Sequence, residues 1–423
     1  IQLLLMQKLI IKGKKILSGS ITISGSKNAT LPILAATILT DKRVILKNIP
    51  LVQDVYTMIN LLKFIGLDIE ISKKKNNLNI LSKKKLKTVA PYNLLKTMRA
   101  GVLVLGPLLA KYKKAKVSLP GGCAIGARPV NLHLYALEKL GAKIKIKNGY
   151  IYASAKNGLK GAIIKFPFIS VGATENAILA AVSAKGKTTI SNCAIEPEIQ
   201  DMILFLKKIG CDINFIGKRK ILIIGTDEFK NVNHEIIFDR IELGTYLIAG
   251  ALVGKKIIFD KINPEIINAE IKIMKKMGVR MKIEKRRITV FESKKLNSTN
   301  VKTEPYPGFP TDLQAQIMVL MSKASGTSKV KESIFENRFM HVPELKRMGA
   351  KINTKNNTAI ITGPTSLSGA QVMATDLRAS VSLVLAALVA ENKTTINRVY
   401  HLDRGYENLE KKLKKCKANI NRI

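Results

Sequence analysis

Cys123 lies in the segment Leu119-Pro120-Gly121-Gly122-Cys123-Ala124-Ile125-Gly126-Ala127-Arg128-Pro129, five residues before an arginine. Three glycines let this backbone bend and close over a ligand. A cationic neighbour favours the thiolate, the reactive form of a cysteine. The same residues also fit a turn around a buried thiol, because a free cysteine usually packs as a small hydrophobe. Asp312 follows the turn Pro310-Thr311 at an expected helix start. By local pattern it is an N-cap or first-turn aspartate stabilised by the helix dipole.

The other cysteines stand at 193, 211 and 416, with no CxxC pair and no histidine at ligand spacing. A zinc site or disulfide framework is therefore not expected, and a reducing, cytoplasmic setting is. The longest apolar runs, such as 100–110, fall short of the roughly 20 residues that span a bilayer. Ile1 to Ile11 is apolar but lacks a basic flank and a small-residue cleavage site, so no secretory signal is expected. Met6 is a candidate initiator.

The formal charge is +41. Such a charge suggests nucleic-acid or anionic-membrane binding. However, the lysines are spread along the chain, and aromatic residues make up only 5%, leaving few stacking platforms. Compositional drift toward Lys, Ile and Asn accounts for this better. Neither a specific nucleic acid nor a membrane is expected as partner. Anionic ligands are attracted from all sides, at rates that fall with salt.

The elements that must carry these residues come as a repeat. An amphipathic helix ends in glycine, then a small residue, then an alternating strand. The glycines are Gly66, Gly141, Gly210, Gly278 and Gly349; Lys417 takes the sixth place, and the intervals are 75, 69, 68, 71 and 68 residues. A glycine just past a helix is a left-handed C-cap. A second, very apolar helix is expected upstream of each, over 30–39, 100–110, 174–184, 243–253, 312–323 and 377–390. Helices apolar all round must be enclosed. Each unit reads as strand-helix-strand-helix-strand-strand. A period near 70 exceeds the roughly 20–50 residues of common solenoids, so the units should form compact domains. The polar stretch 227–235 is an expected hinge between two similar halves, with the active site between them.

Eight segments occur in a fixed order: Gly25-Ser26-Lys27-Asn28-Ala29, the loop 120–130, Ser170-Val171-Gly172-Ala173-Thr174, Asp239-Arg240-Ile241-Glu242, Pro307-Gly308-Phe309-Pro310-Thr311-Asp312, Ile334-Phe335-Glu336-Asn337-Arg338-Phe339, Asp376-Leu377-Arg378 and Asp403-Arg404-Gly405-Tyr406. Together with the repeat, they make the chain resemble the enolpyruvyl transferases from about Met6 onward. The resemblance implies an α/β fold of two inside-out barrel-like domains, each of three repeats with helices inside. It assigns 27–239 to the first domain and 1–26 plus 240–423 to the second. The implied activity moves an enolpyruvyl group from phosphoenolpyruvate to the 3′-hydroxyl of UDP-N-acetylglucosamine, releasing phosphate, at the entry to peptidoglycan synthesis. Shikimate 3-phosphate as acceptor, and a non-catalytic basic nucleic-acid-binding protein, are the alternatives.

By that resemblance Lys27, Arg128 and Arg404 face the phosphate and carboxylate of phosphoenolpyruvate, with Arg99, Arg338 and Arg378 nearby. Asp376 and Asp403 each offer a close carboxylate to the neighbouring arginine. Cys123 is the general acid at the methylene carbon and the target of the epoxide fosfomycin; relatives with aspartate there escape it. Asp312 is the base at the sugar hydroxyl. Asn28, Arg128, Pro129, Val130, Asn131, Leu132, Ser170, Val171, Gly172 and Ile334 line the nucleotide-sugar pocket, where Pro129 and Val130 sandwich the uracil. Asn131 departs from the aspartate of many relatives, and Phe168 lies at a variable position. The Cys123 loop is expected to close on the nucleotide sugar. No metal or organic cofactor is implied, and a monomer or weak homo-oligomer is expected.

Overall fold

A computed structural model describes residues 7–82, 85–121 and 129–423. It divides into two compact units. One holds 7–24 and 238–423; the other holds 25–121 and 129–237.

The repeat expected from the sequence is present. In the third copy, Ile163–Lys165, Val171–Ala181, Lys187–Ser191, Pro197–Lys208, Asp212–Gly217 and Lys220–Ile224 follow as strand, helix, strand, helix, strand, strand. The first strand runs parallel to the second, the second antiparallel to the fourth, and the fourth antiparallel to the third. All six sheets among the described residues share this order. Three strands come from elsewhere in the chain. Val232–Glu235 is the first strand of the first sheet, parallel to Val44–Lys47. Leu17–Ser20 takes the same place beside Gly254–Asp260. Leu9–Lys12 completes the sixth sheet between Lys393–Asn397 and Asn419–Arg422. The stretch 227–235 is therefore not a hinge: its second half is paired backbone, which satisfies donors and acceptors that a linker would leave to water.

The apolar helices are enclosed. In one unit Arg240–Val253, Gln314–Ser322 and Leu377–Val389 pack on one another and are almost wholly buried. In the other, Leu105–Tyr112 packs on Val171–Ala181, and Lys27–Ala36 packs on the 3₁₀ turn Arg99–Val104. The sheets alternate: Ile190, Ile221 and Ile223 are fully buried, while Lys143, Lys145, Lys147, Lys329 and Lys331 are exposed on alternate outer positions. Much of the positive charge thus sits on outward strand positions, where it disturbs no core. Among the described residues no helix is long and apolar enough to cross a membrane.

Two details differ from expectation. Three enclosed helices begin about a turn before the runs expected for them, after caps at Ser26, Ser170 and Asp239, whose side chains accept from backbone N–H groups of the first turn, whereas the helix capped by Asp376 starts at Leu377 as expected. The polar first turns created this way carry several candidate site residues. The run 100–110 is not one helix but a 3₁₀ turn, Arg99–Val104, followed by Leu105–Tyr112. Gly106 allows this close packing: a side chain there would start 2.4 Å from Asn176 Oδ1.

Candidate active site

Asp312 stands in the short 3₁₀ turn Thr311–Leu313 that leads into Gln314–Ser322. Its carboxylate is held by two arginines. Arg338 Nη2 donates to Oδ1 at 2.8 Å. Arg378 donates to Oδ2 from Nε at 3.2 Å and Nη2 at 3.1 Å. Both arginine side chains are 5% exposed, whereas the Asp312 side chain keeps 28%. The guanidiniums lie over aromatic rings, Arg338 over Phe335 and Arg378 over Tyr406, each at 5.4 Å. Gln316 Nε2 donates to the Asp312 carbonyl at 2.9 Å, and the Tyr406 hydroxyl lies 2.9 Å from Thr245 Oγ1. Burial alone would lower the pKa of Arg378, but Tyr406, Asp312 and Asp239 more than offset it and hold it above the ordinary arginine value. The result is a partly accessible carboxylate in an ionised setting, on a rigid cationic base.

The sequence paired arginines with their adjacent carboxylates, and the structure corrects both pairings. Asp376 is the N-cap of Leu377–Val389; its Oδ1 accepts the backbone N–H groups of Arg378 and Ala379 at 2.8 and 3.1 Å. Extended backbone at the cap aims this carboxylate at the helix end, so the Arg378 guanidinium reaches Asp312 instead. Asp403 binds Arg422 through Nη2 and Nη1 at 2.7 and 2.9 Å. Arg404 is half-buried at the end of the turn Val399–Arg404, and Ile334 is 36% exposed. Asp239 and Glu242 are structural. Asp239 caps its helix, and Glu242 accepts from Lys412 Nζ at 2.6 Å and the Ser24 N–H at 2.7 Å.

In the other unit Lys27 opens the helix Lys27–Ala36, where an ammonium opposes the helix dipole. Its Nζ meets Asp54 Oδ2 at 3.1 Å, with side chains 11% and 7% exposed. Asp54, in the first turn of Gln53–Ile65, was not singled out in the sequence. Gly25 is required just before: a side chain there would start 1.8 Å from the Asn48 carbonyl oxygen. Asn28 is the residue of that helix not buried.

Asn131 begins Asn131–Lys139 and is exposed, Leu132 is half-buried, and Pro129 is exposed. Val130 is 6% exposed and belongs to the hydrophobic core, so of the pair expected to sandwich uracil only Pro129 offers side-chain surface. Ser170 caps Val171–Ala181, accepting the Ala173 N–H at 3.4 Å, and Phe168 is 62% exposed.

The fold brings a further residue here. His133 Nδ1 lies 3.1 Å from Asn176 Nδ2, while Asn176 Oδ1 accepts the Gly106 N–H and Nδ2 donates to the Val102 carbonyl. The amide nitrogen therefore faces His133, Nδ1 accepts, and the ring proton belongs on Nε2. A side chain at Gly172 would start 3.2 Å from that Nε2, so glycine keeps the space beside the imidazole open. Burial, then the charge of Arg99, lower the His133 pKa to about 4. The ring is neutral at pH 7 and sits beside Gly172 with Arg99 near. A histidine between Leu132 and Leu134 in an amphipathic helix was the available signal. Cys123 and Arg128 lie outside the described residues.

Comparison with known proteins shows the family and the fold of the chain. The family model described as EPSP synthase (3-phosphoshikimate 1-carboxyvinyltransferase) matches residues 11–413. The chain is 59% identical to the UDP-N-acetylglucosamine 1-carboxyvinyltransferase of Pelagibacter ubique, covering 99% of this chain and 100% of that one. It is 51% identical to the protein of the same name from Endomicrobium trichonymphae, over 98% and 99%. Among solved structures it resembles the enolpyruvyl transferase NikO from Streptomyces tendae, with TM-score 0.90, 24% identity and 99% of each chain covered. EPSP synthase from Acinetobacter baumannii has the same fold at TM-score 0.76 and 17% identity, over 99% and 100%.

Proposed function

The chain belongs to the enolpyruvyl transferase family, and from that premise we propose how its residues carry the reaction. It transfers the enolpyruvyl group of phosphoenolpyruvate to the 3′-hydroxyl of UDP-N-acetylglucosamine in peptidoglycan synthesis, a reading supported by relatives at 48–59% identity that are named UDP-N-acetylglucosamine 1-carboxyvinyltransferase. Shikimate 3-phosphate as acceptor and a non-catalytic role are not favoured.

In our reading Cys123 gives a proton to the methylene carbon of phosphoenolpyruvate, and the sugar hydroxyl adds to the neighbouring carbon. Asp312 takes the hydroxyl proton. Loss of phosphate and of a proton from the new methyl group restores the double bond. Lys27, Arg128 and Arg404, with Arg99, Arg338 and Arg378 nearby, bind the anionic groups. Asn28, Pro129, Asn131, Leu132, Ser170, Val171, Gly172 and Ile334 bind the nucleotide sugar, and Asp376 acts by holding the helix end that carries Arg378. The proposed domains are 27–239 and 1–26 with 240–423. A cytoplasmic monomer or weak homo-oligomer belongs to the same proposal.

The observation that supports this best is Asp312, partly accessible on two buried arginines. Two guanidiniums favour the ionised form that a proton acceptor must start from. The test is phosphate release from phosphoenolpyruvate with UDP-N-acetylglucosamine or shikimate 3-phosphate. Release with only the nucleotide sugar is expected; release with only shikimate 3-phosphate would overturn the acceptor.

A further inference from the structure

Glu332 is a carboxylate at 2% exposure with no role in the reading above. Four donors surround it. Its Oε1 accepts from Thr303 Oγ1 at 2.9 Å, the Ile334 N–H at 2.8 Å and the Phe335 N–H at 3.1 Å. Its Oε2 accepts from Thr311 Oγ1 at 2.8 Å. Burying a carboxylate is costly unless such donors replace water, and here they do. Thr303 is itself fixed, accepting the Ser333 N–H at 2.9 Å.

Both oxygens lead to the same place. From Oε2, Thr311 is the residue before Asp312. From Oε1, the Phe335 N–H is held so that its ring lies under the Arg338 guanidinium, which donates to Asp312 Oδ1. The third contact fixes Ile334, a proposed nucleotide-sugar residue. One buried carboxylate thus ties the turn before the proposed base, the stacking platform of its arginine and a wall of the acceptor pocket.

We infer that Glu332 is a positioning residue for the transfer, setting the orientation of Asp312 and the place of Ile334. The inference rests on the proposed role of Asp312. Misplacing a reacting group by about 1 Å can cost on the order of 100-fold in rate.

The test compares the unaltered chain with Thr311→Val and Glu332→Gln, in kcat, KM for UDP-N-acetylglucosamine and melting temperature. Thr311→Val cuts only the Oε2 arm, so kcat should fall roughly tenfold with KM near its original value. Glu332→Gln keeps the shape but replaces an acceptor by a donor, so kcat should fall and KM rise several-fold. Glu332→Ala should be worse than Glu332→Gln in both. A lower melting temperature with kcat and KM of the folded protein unchanged would overturn the inference, because a merely structural role moves only stability. No turnover by the unaltered chain overturns the functional reading and the clamp with it. Turnover by the unaltered chain, with both variants at its values, overturns the clamp alone.

Discussion

Arg378 grips a single oxygen of Asp312 with two nitrogens, Nε at 3.2 Å and Nη2 at 3.1 Å, leaving Oδ1 to Arg338. This division fixes the plane of the carboxylate as well as its charge. A lysine supplies charge at one point without the fork. Arg378→Lys is therefore expected to lower kcat about tenfold or more, and Asp312→Asn by about 10²–10⁴. Steady-state phosphate release measures both, and a wild-type kcat for Arg378→Lys would show that charge alone suffices.

Lys27 and Asp54 form an ion pair with both side chains almost buried. Removing one partner of such a pair costs about 3–5 kcal/mol, because the other charge stays in a poor solvent. Asp54→Ala should lower stability by roughly that amount in urea unfolding and raise KM for phosphoenolpyruvate. An unchanged KM would separate Asp54 from the substrate and leave it a structural partner.

Cys193, Cys211 and Cys416 are all buried. Burial pushes the thiol of Cys193 up to about 11 and that of Cys211 to about 12, and raises Cys416. All three are protonated and shielded at neutral pH, so they react slowly with electrophiles. Fosfomycin or a simple alkylating agent should therefore label the native protein once, at Cys123, and denatured protein further. Peptide mass mapping reads the site. Cys123→Asp should keep activity and lose inactivation; labelling at Cys193 would contradict the argument.

His133 and His341 are buried, and burial lowers each to about 4. A base whose folded pKa lies below its unfolded value of about 6.5 adds stability above that value, lost as pH falls toward 4. Each histidine should cost about 1–2 kcal/mol between pH 7 and pH 5. His133→Gln keeps an acceptor for Asn176 and removes the titration, so its unfolding free energy should fall less over this range. Equal slopes for variant and parent would exclude His133 as a source.

Lys417 occupies the sixth C-cap at φ 74°, where Gly66, Gly141, Gly210, Gly278 and Gly349 stand in the other repeats at φ between 87° and 122°. A side chain in this region costs about 1–2 kcal/mol, partly offset by the greater chain entropy of glycine when unfolded. Lys417→Gly should stabilise the protein by about 0.5–1 kcal/mol. Gly141→Ala should destabilise it by about 1 kcal/mol through backbone strain, since no atom lies within 4 Å of the added carbon. Thermal or urea unfolding of the two variants should move in opposite directions.

Much of this molecule was legible in one dimension. The repeat, its enclosed helices and its five glycine caps are patterns within a few residues, set by helical periodicity and the left-handed turn. The eight ordered segments placed the chain in its family. Even so, three helix starts were read late, because Ser26, Ser170 and Asp239 announce a cap only once their side chains are seen on the first-turn N–H groups.

Tertiary structure alone decided which partners meet. Arg378 lies two residues from Asp376 but pairs with Asp312, 66 residues away. Lys27 finds Asp54 across 27 positions, and His133 finds Asn176 across 43. Leu9–Lys12 completes a sheet with strands at the far end of the chain. Local order follows from interactions between near neighbours, which composition and spacing record. A long-range contact depends on which of many equivalent lysines, arginines and carboxylates the packed helices and sheets bring within about 3 Å, a choice made only when the chain has folded.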